Sequence, residues 1–546
     1  MSKTKKRTPK QASQTFTPPL RLTYGLLAAV VLFFGLIRVR LLNIPLERDE
    51  GEYAYAGQLI LHGVVPYRLC YSMKLPGTAA AYAAFMAGFG QTPVGVHLGL
   101  LLVNSATTVL LYVLAARLFG RLAGVVTAAS FALLSIEPSV LGLAGHATQF
   151  VVLPAVGGLL ILLKAIESRR LPLFFWSGLL LGLAFLMKQP GIFFLFFALL
   201  YLTIPLLKHR SEWRTVAWQA ATLLSGFTLP LALCGSILRG AGVMQKFWFW
   251  TFSYAREYGT INTFSGGLQN LWDYGSSVAS PAVLVWAIAA VGLAALFFNS
   301  DARIHRAFAL GFLVFSFAAV CPGFYFRPHY FVLLLPAVSL LGGVAVSSTT
   351  KMLLRSHASA ASLPALVFLF AFGYSVVGQG AVFFQEDPLA ICRRLYSGNP
   401  FSEALQISDF LKNHSAAWDR VAVIGSEPEI YFYSDRRSAT GYVYMYPLME
   451  PQPFASTMQK EMISEIEQSR PEFLVFVSSP ASWLRKSNSD STVFSWFENY
   501  AGRGYELVGA ADLLDGQTEY HWSDAATTPP HSDNRVLVFK RLAPPT

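Results

Sequence analysis

Eleven separate runs of mostly apolar residues constrain this chain more than any other feature. They fall near 22–37, 97–116, 122–140, 147–163, 171–187, 191–207, 216–238, 278–298, 307–322, 329–347 and 360–379. A helix needs about 20 apolar residues to cross the hydrocarbon core of a bilayer. Lipid offers backbone amides no hydrogen-bond partners, so runs of this kind must satisfy themselves as helices. The expected fold is therefore an α-helical polytopic membrane protein with about 11 transmembrane helices. The first run is short and lacks a small-residue cleavage site, so it reads as an uncleaved signal anchor.

Charge placement supports this reading and orients it. Only 13% of the 546 residues are charged, against about 25% in a soluble domain. Of the 31 acidic residues, ten precede residue 380 and 21 follow Phe384. Basic residues recur in every second short loop: the tail Lys3, Lys5, Lys6, Arg7, Lys10 and Arg21, then Arg117 and Arg121, then Lys164, Arg169 and Arg170. Lys208, Arg210 and Arg214, then Arg303 and Arg306, and finally Lys351 and Arg355 continue the series. By the positive-inside rule these face the cytoplasm. An odd number of spans then places the C-terminus outside. The same rule accounts for the net charge of +11, so no nucleic-acid partner is expected. The four cysteines have no metal-ligand spacing; Cys70 and Cys392 would share the oxidising side, where a bridge is possible, but free thiols are the expected state.

The expected domains are a basic cytoplasmic tail (1–21), a transmembrane portion (22–379) whose first external loop spans 38–96, and an extracytoplasmic C-terminal soluble α/β domain (380–546). In the last, helical patterns at Ser402–Asn413 and Ser456–Gln468 alternate with β-rich runs at Arg420–Ile424, Phe473–Val477 and Arg535–Lys540, as in a layered sheet. It carries no P-loop, dinucleotide fingerprint or nucleophile elbow, and its expected role is that of a cap or acceptor-handling lid.

Four of the ten acids before residue 380 sit within six residues, Glu47-Arg48-Asp49-Glu50-Gly51-Glu52, directly after the first run. Carboxylates close to lipid are costly and tend to mark function. The following Tyr53-Ala-Tyr-Ala-Gly-Gln-Leu-Ile-Leu-His-Gly63 has the spacing of a helix lying along the interface, with Gly63 as its C-terminal cap. A purely structural role is open for Asp49, as the N-cap of that helix with Glu52 completing a capping box. The run Phe247-Trp248-Phe249-Trp250 reads as an interfacial aromatic belt or the lining of a lipid-tail groove.

Asp49-Glu50, then Tyr53, Gly63-x-x-Pro66-Tyr67 and Lys74-x-Pro76, resembles the first external loop of the C-type (GT-C) glycosyltransferases. The nearest group is the bacterial relatives of protein O-mannosyltransferase and of lipid A aminoarabinose transferase. Gly178-Leu-Leu-Leu-Gly182-Leu-Ala-Phe-Leu-Met-Lys188-Gln189 and His329-Tyr330-Phe331 continue the resemblance in order. Two departures stand out. Met73-Lys74-Leu75-Pro76 replaces Glu-Lys-Pro-Pro of the aminoarabinose enzymes, and His146-Ala-Thr-Gln-Phe150 stands where many relatives carry an acid.

The resemblance implies a glycosyltransferase of the cell inner membrane. Such an enzyme moves a sugar from a polyprenyl-phosphate donor to an extracytoplasmic lipid, glycan or protein. It implies Asp49, or else Glu50, as the base that takes the acceptor's proton. Tyr53, Tyr67, Lys74, Lys188, Arg256, Arg327, His329 and Tyr330 are then substrate-binding candidates, the cations among them facing the donor phosphate. For Lys188 the alternative is snorkelling, and for Arg327 and His329 interfacial anchoring. No cofactor is called for, and a divalent metal stays open. Protein O-mannosyl transfer is the closest alternative activity. A transporter or a display protein are rivals from other classes, but most charges sit at span ends and no internal repeat is visible.

Overall fold

The computed structural model describes residues 19–207, 212–514 and 516–543. The tail lysines, Arg7, and Lys208 and Arg210 of the basic series lie outside them. Each of the eleven apolar runs overlaps a helix. These are α1 (Leu20–Arg40), α4 (Pro93–Phe119), α5 (Arg121–Leu134), α6 (Ala147–Ser168), α7 (Leu171–Met187), α8 (Ile192–Thr203), α9 (Trp213–Gly240), α13 (Val283–Phe298), α15 (Arg306–Val320), α16 (Leu335–Ser356) and α17 (Leu363–Gly378). Among the described residues, seven helical stretches are long and apolar enough to cross a membrane; α5, α7, α8 and α15 are apolar but shorter, and a single turn, α14 (Ser300–Arg303), separates α13 from α15. One of the seven joins α13 to the preceding α12 (Phe264–Ala279), which the apolar pattern catches only at its end. The run at 329–347 begins not as an α-helix but as a 3-10 turn over Pro328–Leu333, where Pro328 and Pro336 remove two backbone donors.

Glycines let these helices approach closely. A Cβ on Gly178 would lie 1.9 Å from the Leu223 carbonyl oxygen, and one on Gly182 would lie 2.4 Å from that of Phe227. On the facing helix, a Cβ on Gly226 would lie 2.0 Å from the Phe175 oxygen. The Gly178-x-x-x-Gly182 spacing thus sets the α7–α9 contact, as small residues do between membrane helices.

Two helices fill the loop after α1: α2 (Arg48–Leu61) and α3 (Gly77–Phe89). The N-cap of α2 is Glu47, whose carboxylate accepts from the Glu50 amide at 2.9 Å, so the expected cap at Asp49 is displaced by two residues. Asp49 lies instead in the first turn, where the helix dipole favours its negative charge. Gly63 closes the helix as expected, with φ +74° and its amide on the Ile60 carbonyl. Between α9 and α12 the aromatic run forms α10 (Met244–Trp248), a π-helical stretch Phe249–Tyr254, and α11 (Ala255–Gly259).

From Pro388 the chain forms α18 (Pro388–Leu395), α19 (Glu403–Asn413) and a six-stranded mixed sheet. The strands are β1 (Arg420–Ile424), β2 (Arg437–Ser438), β3 (Phe473–Val477), β4 (Tyr505–Leu514), β5 (Gln517–Trp522) and β6 (Arg535–Arg541), in the order β2-β1-β3-β6-β4-β5. β1 pairs in parallel with β2 and β3, and the other pairings are antiparallel. Helices α20 (Glu429–Ser434), α21 (Tyr446–Met449), α22 (Ala455–Ser469), α23 (Pro480–Trp483) and α24 (Thr492–Gly504) complete the layer. The three β-rich runs and two helical patterns read from the sequence all form; the β4–β5 hairpin is additional. All four cysteines are free thiols, with Cys70 and Cys392 buried.

The sheet domain sits directly on α2. A Cβ on Gly51 would lie 2.6 Å from the Glu429 amide nitrogen, so α2 and α20 are in backbone contact. Arg48 locks the junction: it donates to the Ser426 carbonyl (2.7 Å), to Asn399 Oδ1 (2.7 Å) and to the Tyr446 hydroxyl, and pairs with Glu427 at 3.3 Å. Tyr55 accepts from the Ser438 amide and Tyr433 from the Leu46 amide.

Candidate active site

A cavity of about 210 Å³ opens where the helical part meets the sheet domain. One wall is the first turn of α2, which presents Asp49 and Glu52. The Lys74 ammonium bridges them, 2.9 Å from Asp49 Oδ1 and 2.8 Å from Glu52 Oε2. It also lies over the Tyr53 ring, 4.5 Å from the centroid. On the other side of Asp49, His146 Nδ1 stands 3.5 Å from Oδ2, and its ring stacks on His329 at 4.1 Å. His146 is the residue before α6, and His329 lies in the 3-10 turn that leads to α16.

This setting fixes the charge of Asp49. Burial pushes its carboxyl up, but the Lys74 ammonium and the adjacent His146 ring outweigh that and hold it well below the usual carboxylate range. Lys74 is shifted the other way. Burial disfavours its charge, yet Asp49 and Glu52 raise it well above the usual lysine value.

Two further cations line the cavity. Lys188, between α7 and α8, lies 4.0 Å from the Tyr330 ring centroid. With no carboxylate as close as those beside Lys74, burial lowers it to about 7. Arg327 lies over Tyr325 at 5.4 Å. Trp250, Tyr254 and Tyr258 of the π-helical stretch and α11 form an aromatic side wall. The sheet domain supplies the roof through Tyr444, Tyr446 and Glu450.

Of the residues singled out by sequence, Asp49, Lys74, Lys188, Arg327, His329 and Tyr330 therefore share one cavity. Tyr53 and Tyr67 stand behind Lys74 rather than on the cavity wall: Tyr53 beneath its ammonium, Tyr67 donating to its carbonyl at 2.7 Å. Both line a second, smaller hollow beside the Lys74–Pro76 segment. Glu50 turns away from the cavity. It is 1% exposed, accepts from the Gly145 amide at 2.6 Å and lies 3.2 Å from His97 Nε2. Arg256 is exposed on α11 and does not line the cavity. The sequence reading missed Glu52 as a partner of Lys74, although it lies in the acidic cluster. It also missed the roof, whose signal is the Tyr442-Val-Tyr444-Met-Tyr446-Pro447 run in a domain otherwise read only for its sheet.

Asp49, His146 and His329 also turn one ligand atom each to within 4.8 Å of the others. Both His146 ring nitrogens and His329 Nδ1 are buried without hydrogen-bond partners. The set fits a divalent cation, in competition with the Lys74 ammonium that already neutralises Asp49.

A helical bundle that presents a carboxylate-bearing loop beneath a mixed-sheet cap defines the class: the chain carries the GT-C glycosyltransferase fold. Residues 74–232 match the family model described as dolichyl-phosphate-mannose-protein mannosyltransferase. The chain is similar to ArnT from Cupriavidus metallidurans bound to undecaprenyl phosphate, with 15% identity and a TM-score of 0.60 over 95% of this chain and 98% of that one. It is also similar to the Archaeoglobus fulgidus oligosaccharyltransferase in complex with Zn and sulfate, with 13% identity and a TM-score of 0.52 over 90% and 72%. The arabinofuranosyltransferase AftD from Mycobacteria gives 15% identity and a TM-score of 0.50 over 97% of this chain and 40% of that one. No curated protein sequence matches the chain.

Proposed function

We propose that the chain transfers a sugar from a polyprenyl-phosphate donor to an acceptor hydroxyl at the outer face of the membrane. One observation carries this: a single cavity sets an ionised carboxylate, Asp49, beside two cations, Lys74 and Arg327, and a third basic group, Lys188, that a phosphate would charge, under aromatic walls. Glycosyl transfer from a lipid phosphate needs both halves. The acceptor oxygen must lose a proton as it attacks the anomeric carbon, and the bond from that carbon to the phosphate oxygen breaks with the electron pair going to phosphate. Asp49 takes the proton, a contribution of about 10²–10⁴-fold. The cations stabilise the charge that grows on the departing phosphate, and do so strongly because they are already fixed in place. Trp250, Tyr254 and Tyr444 offer faces for the sugar ring.

Lys74 couples the two halves. Before the donor binds, its charge keeps Asp49 ionised and weakly basic. A phosphate that draws the Lys74 charge to itself weakens that hold and raises the basicity of Asp49 in the loaded site. A divalent ion held by Asp49, His146 and His329 would add Lewis acidity toward phosphate oxygens, whereas the three side-chain cations act on the same oxygens without it.

The bound undecaprenyl phosphate of the ArnT relative supports the donor class. The family match supports a second, narrower reading, transfer of mannose to protein. Both are tested by incubating purified protein with a panel of radiolabelled polyprenyl-phosphate sugars and separating lipid, glycan and protein products. Label in the lipid or glycan fraction supports the first reading, and label on protein the second. A panel in which no sugar leaves its carrier and no donor binds contradicts both.

A further inference from the structure

We propose that the sheet domain holds a second, separate cation site, a zinc site built by Asp512, His521 and His531. The β4–β5 register sets it up. Asp512 pairs with Glu519, and Ala510 with His521, so Asp512, Glu519 and His521 project from one face of the hairpin. The chain then leaves β5, runs through Ser523–Asn534, and returns His531 to the same face, where its amide donates to Asp512 Oδ2 at 2.8 Å.

Three ligand atoms, one from each side chain, lie within 4.8 Å of one another. The two rings stand at 78° with centroids 6.3 Å apart, an arrangement in which two imidazoles converge on a point rather than stack. Tetrahedral zinc with ligands at about 2.0–2.1 Å needs about 3.3 Å between ligand atoms, a contraction that side-chain rotation supplies.

Two unmet groups point to a missing ligand. Asp512 is 0% exposed, and neither its Oδ1 nor the buried Nε2 of His521 has a hydrogen-bond partner. Arg535 Nε forms an ion pair with Oδ1 at 3.2 Å but outside hydrogen-bond geometry, so neither atom of the pair has a hydrogen bond and a zinc ion would share Oδ1 with the guanidinium. His531 Nδ1 lies 2.6 Å from Glu519 Oε2. As donor to that carboxylate it leaves Nε2 as the free lone pair, the carboxylate–histidine–metal pattern that orients ligating imidazoles. Two imidazoles and a carboxylate suit zinc, with a water in the fourth position. The ion would staple the loop Ser523–Asn534 to the edge hairpin of the sheet.

The test uses full-length protein in detergent, freed of any histidine tag, stripped with EDTA, desalted and titrated with ZnSO₄ by calorimetry. Asp49→Asn serves as the control for the cavity carboxylate. The expected result is a zinc equivalent that persists in Asp49→Asn and disappears in His521→Ala and His531→Ala, with affinity about 10–100-fold weaker in Glu519→Gln. Zinc should also slow hydrogen exchange of the backbone at 523–534 in wild type and not in His531→Ala. His531 is exposed and His521 partly so, so these variants should keep the wild-type fold. Equal stoichiometry and affinity in wild type and the His521→Ala/His531→Ala double variant would overturn the site, as would exchange that zinc leaves unchanged.

Discussion

Lys188 and Lys74 show how one residue type serves two ends at this site. Lys74 is matched by two carboxylates at under 3 Å. Replacing it with Ala leaves Asp49 and Glu52 buried without their cation, a loss that typically costs about 3–5 kcal/mol. Lys74→Ala should therefore melt earlier than wild type and bind polyprenyl phosphate more weakly, whereas an unchanged melting temperature would contradict the buried triad. Lys188, held near 7 by burial, should gain protonation when a phosphate arrives. Its charge is present below pH 7 and is lost as pH rises, so donor affinity should be greatest below about 7 and fall between pH 7 and 9. Lys188→Gln should flatten that dependence, as read by equilibrium binding of labelled polyprenyl phosphate across that range. The acidic cluster was visible in sequence because carboxylates are rare in the first 379 residues. The division of labour inside it was not. Glu47 caps, Asp49 faces the cavity, Glu50 bonds to Gly145 and Glu52 holds Lys74. Asp49 and Glu52 share Lys74 on the cavity side while Glu47 and Glu50 turn elsewhere, and only the packing of the 145–150 segment and the Lys74 loop says which is which.

At the scale of elements, apolar length carried most of the legible content. The eleven runs needed no tertiary context, because lipid imposes helix on any such segment. The α12 helix and the 3-10 start of the 329–347 run escaped because amphipathic and proline-bearing stretches do not announce themselves by hydropathy. The β4–β5 hairpin escaped too, although its Asp515-Gly516 dipeptide is a turn signal; β5 mixes polar and aromatic residues, and its pattern is weak without a partner. Gly178→Leu drives a side chain into the Leu223 carbonyl. It should cost at least the ~1–3 kcal/mol typical of overpacking, seen as a lowered melting temperature in detergent, and a wild-type value would contradict the close α7–α9 contact. Glu47→Ala removes the α2 cap and should cost about 0.5–2 kcal/mol, while Glu47→Asp, which can still cap, should cost less.

For the molecule as a whole, the positive-inside pattern predicts that tags near Arg68 and Ser489 report from the non-cytoplasmic side and a tag near Lys208 from the cytoplasm. Tags at Ser489 and Lys208 on the same side would contradict the expected topology. What no reading of separate segments could give is the junction: Arg48 and Gly51 of α2 dock on Ser426, Glu427 and Glu429 of the sheet domain, and the cavity exists only between them. Whether this junction is a glycosyl-transfer site with Asp49 as base is decided by single-turnover transfer from a saturating polyprenyl-phosphate sugar. Wild type is compared with Asp49→Asn, the two matched for melting temperature and donor binding. Because Glu47 and not Asp49 caps α2, the substitution removes charge without touching the cap. Asp49→Asn should insert and bind donor while transfer falls by about two to four orders of magnitude; transfer at near the wild-type rate would contradict a base at Asp49.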